Sequence, residues 1–181
     1  GSNRVMTSSD GTSLTGRTSS NEFSGWLSVC WSAERSLFLA VASSGTNRVM
    51  TSPDGTTWTS RTSSNETNQW WNGCWSPELG LFVVVSRVGT NQVMTSPDGI
   101  TWTGRTSSNE TNQWRSISWS PELRLFVVIA HGGSNLIMTS PDGTTWTGRT
   151  SSNETNAWSS VCWSPQLGIF VSVARVGTNK V

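Results

Sequence analysis

Apolar residues in this chain gather in short runs, split by polar turns, and the whole pattern returns every 44 residues. Within the stretch from Gly45 to Val88, Arg48–Ser52 is rich in strand formers and ends at the turn signal Pro53-Asp54-Gly55. Proline presets φ there, aspartate caps the local backbone and glycine permits positive φ. Thr56–Thr62 follows, dense in β-branched and aromatic residues, so the two segments read as a hairpin. A polar loop, Ser63–Gln69, leads to a third strand at Trp70–Ser76, a turn at Pro77-Glu78-Leu79-Gly80 and a fourth strand at Leu81–Ser86. Arg87–Asn91 links to the next unit, and no segment carries the i, i+3, i+4 spacing of a helix. The expectation is an all-β chain of four-stranded antiparallel units.

Gly1, Gly45, Gly89 and Gly133 open units 1–44, 45–88, 89–132 and 133–176, and Gly177 opens a fifth that stops at Val181. No insertion or deletion interrupts the series, so residues 1–181 read as one domain. Four-stranded repeats of this length suit the blades of a β-propeller, each sheet burying its faces against its neighbours. Tryptophan is a natural wedge between blades. Of the 12 tryptophans, Trp31, Trp75, Trp119 and Trp163 recur on the third strand and Trp26, Trp70, Trp114 and Trp158 at its start. Trp58, Trp102 and Trp146 follow the first turn, where Leu14 stands in the first unit; the ladder reads as core.

Composition narrows the chemistry. Charged residues make up 13% of the chain and its formal net charge is +1. No block of Lys and Arg is present, which argues against a phosphate-binding surface and against nucleic acid as a partner. The apolar runs are strand-sized, so no membrane-spanning segment is expected. Cys30, Cys74 and Cys162 share one position in the unit and Ser118 takes it in the third, a pattern of small buried strand residues rather than of a disulfide or metal site. No cofactor motif appears.

Ser52-Pro53-Asp54-Gly55-Thr56-Thr57-Trp58 resembles the Asp-box, the turn motif of bacterial-neuraminidase-type repeats found in sialidases and other propellers. The string recurs at Ser140–Trp146, at Ser96–Trp102 with Ile100 for the first Thr, and in weaker form at Ser8–Leu14. It is a shortened variant, with one residue fewer between Asp and Trp. The units are also similar to the short propeller repeats of repetitive bacterial and phage proteins. The resemblance implies that the box joins the third and fourth strands of a blade, with Asp accepting turn amides and Trp packing beneath. Three blades would then be complete, at about residues 25–62, 69–106 and 113–150. A fourth would combine the C-terminal pair (Trp158–Val173) with the N-terminal pair (Arg4–Thr18). This closure would remove open sheet edges. It can occur within one chain, as a four-bladed ring, or between two chains that exchange ends to make a homodimer with eight blades. The single-chain ring is preferred because intramolecular closure has the higher effective concentration. Gly177–Val181 nearly duplicates Gly1–Val5, so the two copies compete for one strand position.

Sialidase chemistry, which the resemblance brings up, needs a Tyr nucleophile with an acidic partner and an arginine cluster, and the chain has no Tyr. His131 is the one histidine and aligns with Ser43, Arg87 and Arg175, without a partner that would make it a general base. The chain is therefore not expected to be an enzyme. Each unit also sets Arg-Thr-Ser-Ser-Asn-Glu in a row, at Arg17–Glu22, Arg61–Glu66, Arg105–Glu110 and Arg149–Glu154. Arg and Glu there either fix the loop, as an ion pair or a cap, or take part in shallow sugar pockets. In the second case the sites are Asn21, Glu22 and Trp26; Asn65, Glu66 and Trp70; Asn109, Glu110 and Trp114; and Asn153, Glu154 and Trp158. Asn and Glu would hydrogen-bond sugar hydroxyls and Trp would stack on a sugar face, as in propeller lectins, with several weak sites gaining by multivalency. The expected function is a non-catalytic, lectin-like module with glycans as partners; the alternative is a repeat scaffold, natural or engineered, with no small ligand. Asn65, Asn109 and Asn153 each begin an N-glycosylation acceptor triplet.

Overall fold

The computed structural model describes residues 3–178, and the regular structure among them is entirely β. The chain opens with a hairpin of β1 (Val5–Thr7) and β2 (Thr15–Arg17). Three four-stranded antiparallel sheets follow. The first holds β3 (Trp26–Ser32), β4 (Leu37–Ala42), β5 (Val49–Ser52) and β6 (Thr59–Arg61). The second repeats it with β7 (Trp70–Ser76), β8 (Leu81–Ser86), β9 (Val93–Ser96) and β10 (Thr103–Arg105). The third holds β11 (Trp114–Ser120), β12 (Leu125–Ala130), β13 (Ile137–Ser140) and β14 (Thr147–Arg149), and a final pair, β15 (Ala157–Ser164) and β16 (Ile169–Val176), ends the series. These sheets coincide with the three blades expected at 25–62, 69–106 and 113–150.

The first strand of each sheet lies against the first strand of the next, so β3, β7, β11 and β15 form an inner row. Polar side chains pin that row together. Asn72 Nδ2 donates to Ser28 Oγ at 2.9 Å, Asn72 Oδ1 accepts from the Ile117 amide at 3.1 Å, and Ser116 Oγ accepts from the Val161 amide at 3.2 Å. Between the sheets sit the apolar faces. Val83, Val85 and Val93 of the second sheet share one cluster with Trp114, Ile117 and Trp119 of the third. Leu39, Val41 and Val49 pack in the same way around Trp70. Each blade thus uses its middle strands to cover the inner strand of the following one.

Several expectations are corrected. The strand expected at Thr56–Thr62 is only Thr59–Arg61, because Asp54 Oδ1 accepts from the amides of Thr56 and Thr57 at 2.7 and 2.8 Å and withdraws them from the ladder. Not every tryptophan is core: Trp70, Trp114, Trp119 and Trp158 are buried, Trp58, Trp102 and Trp146 are half-buried, and Trp31 is exposed. The cysteines diverge too. Burial pushes the Cys30 thiol up to about 12 and raises that of Cys74 as well, whereas Cys162 is exposed; all three are free. Among the described residues the β1–β2 hairpin and the β15–β16 pair remain separate two-stranded sheets, so the fourth blade is not assembled within the chain. The competition between Gly1–Val5 and Gly177–Val181 falls partly outside the described residues.

Candidate functional site

Each blade has a turn end and a loop end. At the turn end, the SPDG segment is held by its own side chains. Ser52 Oγ donates to Asp54 Oδ1 at 3.0 Å and accepts from the Gly55 amide at 2.8 Å, while Trp58 Nε1 donates to the Gly55 carbonyl at 3.0 Å. The amides of Thr57 and Thr56 hold the Asp54 carboxyl far below the ordinary range. Asp10, Asp98 and Asp142 sit in equivalent turns with lowered values. These groups stabilise the turn and leave little acceptor capacity for a ligand.

The polar loops lie at the other end, and they too are largely spent on themselves. Glu66 Oε1 accepts from the Ser63 amide and hydroxyl, both at 2.6 Å, and Oε2 accepts from the Arg48 amide at 3.2 Å. Glu22, Glu110 and Glu154 likewise accept from the amides of Ser19, Ser107 and Ser151. Asn65 Oδ1 accepts from the Thr67 amide at 2.9 Å, with Asn109 and Asn153 matching it at Thr111 and Thr155; Asn21 accepts from the Phe23 amide. The arginine of each row turns away from its glutamate: Arg61 Nε donates to Thr51 Oγ1 at 3.0 Å. So Glu caps the loop and no ion pair with Arg forms. The indoles of Trp70, Trp114 and Trp158 are buried and offer no face to a sugar ring; Trp26 is half-buried. Trp26, Trp70 and Trp114 each donate Nε1 to the loop carbonyl of Asn21, Asn65 or Asn109. The stacking role expected of Trp70, Trp114 and Trp158 is therefore lost, because the same rings wedge the blades.

A different constellation stands beside these loops, at the loop end of the inner strands. A bulge interrupts each inner ladder after its first Trp, leaving Leu27, Trp71, Arg115 and Ser159 without a paired residue. These four residues are all different, although the units share one 44-residue pattern. The link after the second strand lies next to them: the Arg87 amide donates to the Gln69 carbonyl at 2.9 Å, and the His131 amide to the Gln113 carbonyl at 2.8 Å. This brings Arg87 and Arg115 over the Trp71 ring, at 5.3 and 5.1 Å from its centroid, while Arg87 Nε donates to Gln113 Oε1 at 3.0 Å. Partial burial, then the charges of Arg115, Arg87 and Arg175, hold His131 below the ordinary imidazole range. Burial and the charges of Arg87 and Arg175 likewise lower Arg115. Among the described residues no carboxylate lies within ion-pair distance of these cations. Arg87 and Arg115 thus meet over one aromatic ring, with His131 and Arg175 near enough for the charges to act on one another. Sequence reading missed this cluster, because its members lie far apart in the chain; a position-by-position comparison of the four units would have found the divergent column at Leu27, Trp71, Arg115 and Ser159.

No protein-family model and no curated protein matches the chain. Solved structures do. The structure titled "YCF48 bound to D1 peptide" superposes with a TM-score of 0.63 at 16% identity, over 92% of this chain and 54% of that one. Virginiamycin B lyase from Staphylococcus aureus gives 0.67 at 11% identity, over 87% and 57%. The GH74 enzyme of Niastella koreensis gives 0.58 at 15% identity, over 86% and 31%. The fold is that of propeller blades. The chain spans about half the length of the first two of these neighbours, and at such identities the likeness extends to fold alone. No group of three or more metal-ligating side chains occurs among the described residues.

Proposed function

We propose that this propeller chain is a non-catalytic binding module whose ligand is an acidic carbohydrate, bound at the loop end of the inner strands by Arg87, Arg115, Arg175 and His131. The observation that carries this reading is the pairing of Arg87 and Arg115 over Trp71, with further positive charge nearby and, among the described residues, no carboxylate at ion-pair distance. Such an arrangement is electrostatically costly when empty, and a carboxylate or sulfate relieves it through charge-assisted hydrogen bonds. Arg87, Arg115 and Arg175 form a local site rather than the long basic stripe that follows a phosphate backbone, and the net charge is only +1.

Titration calorimetry with a sulfated or uronate oligosaccharide and with a neutral oligosaccharide of equal length tests it. Binding of the acidic ligand alone, weakened at least tenfold in Arg115→Ala, is expected. Equal binding of both, or of neither, overturns it. The competing reading is a scaffold without a small ligand, favoured by the loops whose polar groups satisfy one another; absence of binding to either oligosaccharide would support it.

A further inference from the structure

The two terminal half-blades are complementary, and we infer that each is completed by a second copy of this chain, giving one closed ring from two chains. Between the β1–β2 hairpin and the first full blade lies an open apolar groove of about 450 Å³, lined by Met6 from the hairpin and by Trp26, Val29, Phe38, Met50 and Trp58 from the blade. One unit later, the equivalent space is filled by the inner pair β3–β4, which lies against β7. The groove therefore has the shape of an inner strand pair.

Such a pair is exposed at the other end of the molecule. Val171 and Val173 on β16 are 39% and 44% exposed, whereas their counterparts Val83 and Val85 are 0%. In the full blades these valines pack on the next inner strand, as Val83 and Val85 do with Trp114, Ile117 and Trp119. The surface they lack is the one left bare on β3, where Val29 is 61% exposed against 5% for Ile117. Trp31 is also exposed, while Trp75, Trp119 and Trp163 each donate to a glutamate on the preceding blade. Gln166 occupies the matching turn of the last unit and offers an amide oxygen to that indole. The backbone edges agree as well. β4 pairs with β5 through Phe38↔Ser52, Leu39↔Thr51, Ala40↔Met50 and Val41↔Val49. The unit repeat carries this register to Phe170↔Ser8, Val171↔Thr7, Ser172↔Met6 and Val173↔Val5 between β16 of one copy and β1 of the other.

Closure within one chain requires the arc to bend until these ends meet, and they do not meet. The arc instead follows proteins of which it covers only 54% and 57%, so its curvature suits a ring of more than its own four blades. Two copies related by a two-fold axis exchange both ends at once and leave no open edge.

Light scattering on the 181-residue chain, combined with a paired cysteine variant, tests the inference. A molar mass twice 19.6 kDa is expected. Val5→Cys with Val173→Cys should then give a covalent dimer under oxidising, non-reducing conditions, and each single variant should not. Val173→Asp should shift the mass to that of one chain, while Val176→Asp, beyond the register, leaves the dimer intact. A single-chain mass, a ladder of larger masses, or a paired variant that cross-links only within one chain would each overturn the inference. Should Val173→Asp fail to fold, the cross-link still decides the matter. None of these readouts depends on a ligand, so they stand apart from the carbohydrate titration.

Discussion

Trp119 donates its indole N–H to Glu78 Oε2 at 2.7 Å, tying the inner strand of the third sheet to a turn of the second. The contact recurs as Trp75 to Glu34 and Trp163 to Glu122, always from one blade to the blade before it. It combines ring burial with a charge-assisted hydrogen bond, and it fixes the angle at which successive sheets meet.

Trp119→Ala should therefore destabilise the fold by about 3–5 kcal/mol. Trp119→Phe keeps most of the packing and should cost less, about 1–3 kcal/mol from the lost hydrogen bond. Trp102→Ala, at a half-buried ring, should fall below Trp119→Ala. Urea unfolding followed by tryptophan fluorescence and circular dichroism would rank the three.

Acid should loosen the turn end first. At Asp142 burial raises the carboxyl pKa, but hydrogen bonds from the amides of Thr145 and Thr144 and from Ser140 outweigh it and bring the value to about 2. A depressed carboxylate adds stability above its unfolded value, near 3.8, and that share is lost as pH falls from about 4 to about 2. Thermal unfolding measured from pH 6 down to pH 2 should show a falling midpoint in this window, with a shallower slope in Asp142→Asn.

His131 should report the charge cluster. Its imidazole is expected to titrate below 6.5 by NMR, and Arg115→Ala should raise the midpoint by removing one of the neighbouring charges. An acidic ligand should raise it as well. An unchanged midpoint in Arg115→Ala would separate the histidine from the site.

Two backbone positions make opposite forecasts. Gly89 adopts φ of 122°, and a methyl group there would overlap Asn68 Oδ1, so Gly89→Ala should cost about 1–3 kcal/mol. Gly80 also has positive φ, at 59°, but faces open space, and Arg124 already occupies its counterpart at 47°. Arg124→Gly should raise the melting temperature slightly, by about 1 kcal/mol of relieved strain. Differential scanning calorimetry of both variants checks the pair.

Much of the fold was legible in the chain because local and periodic signals agree. The Pro-Asp-Gly turns and the unbroken spacing located the three full sheets within a residue or two. What escaped was set by competition for the same groups. Thr56 and Thr57 have strand propensity, yet their amides go to Asp54. Trp70 sits at the end of a polar loop, where a binding ring would stand, yet the wedge between blades claims it. Arg87 and Arg115 carry no shared local signal, since only the fold brings them over Trp71. The single-chain ring was preferred on effective concentration, a term that says nothing of the angle between sheets; among the described residues the terminal strand pairs stay apart.

The bulge that frees Leu27, Trp71, Arg115 and Ser159 from ladder pairing has an evolutionary corollary. A residue outside the pleat can be exchanged without disturbing the pairing of its neighbours, so selection can rewrite the chemistry of that row while the architecture is inherited unchanged. Variability and foldability then fall on separate positions, and each added unit brings one more free position without taxing the ladder.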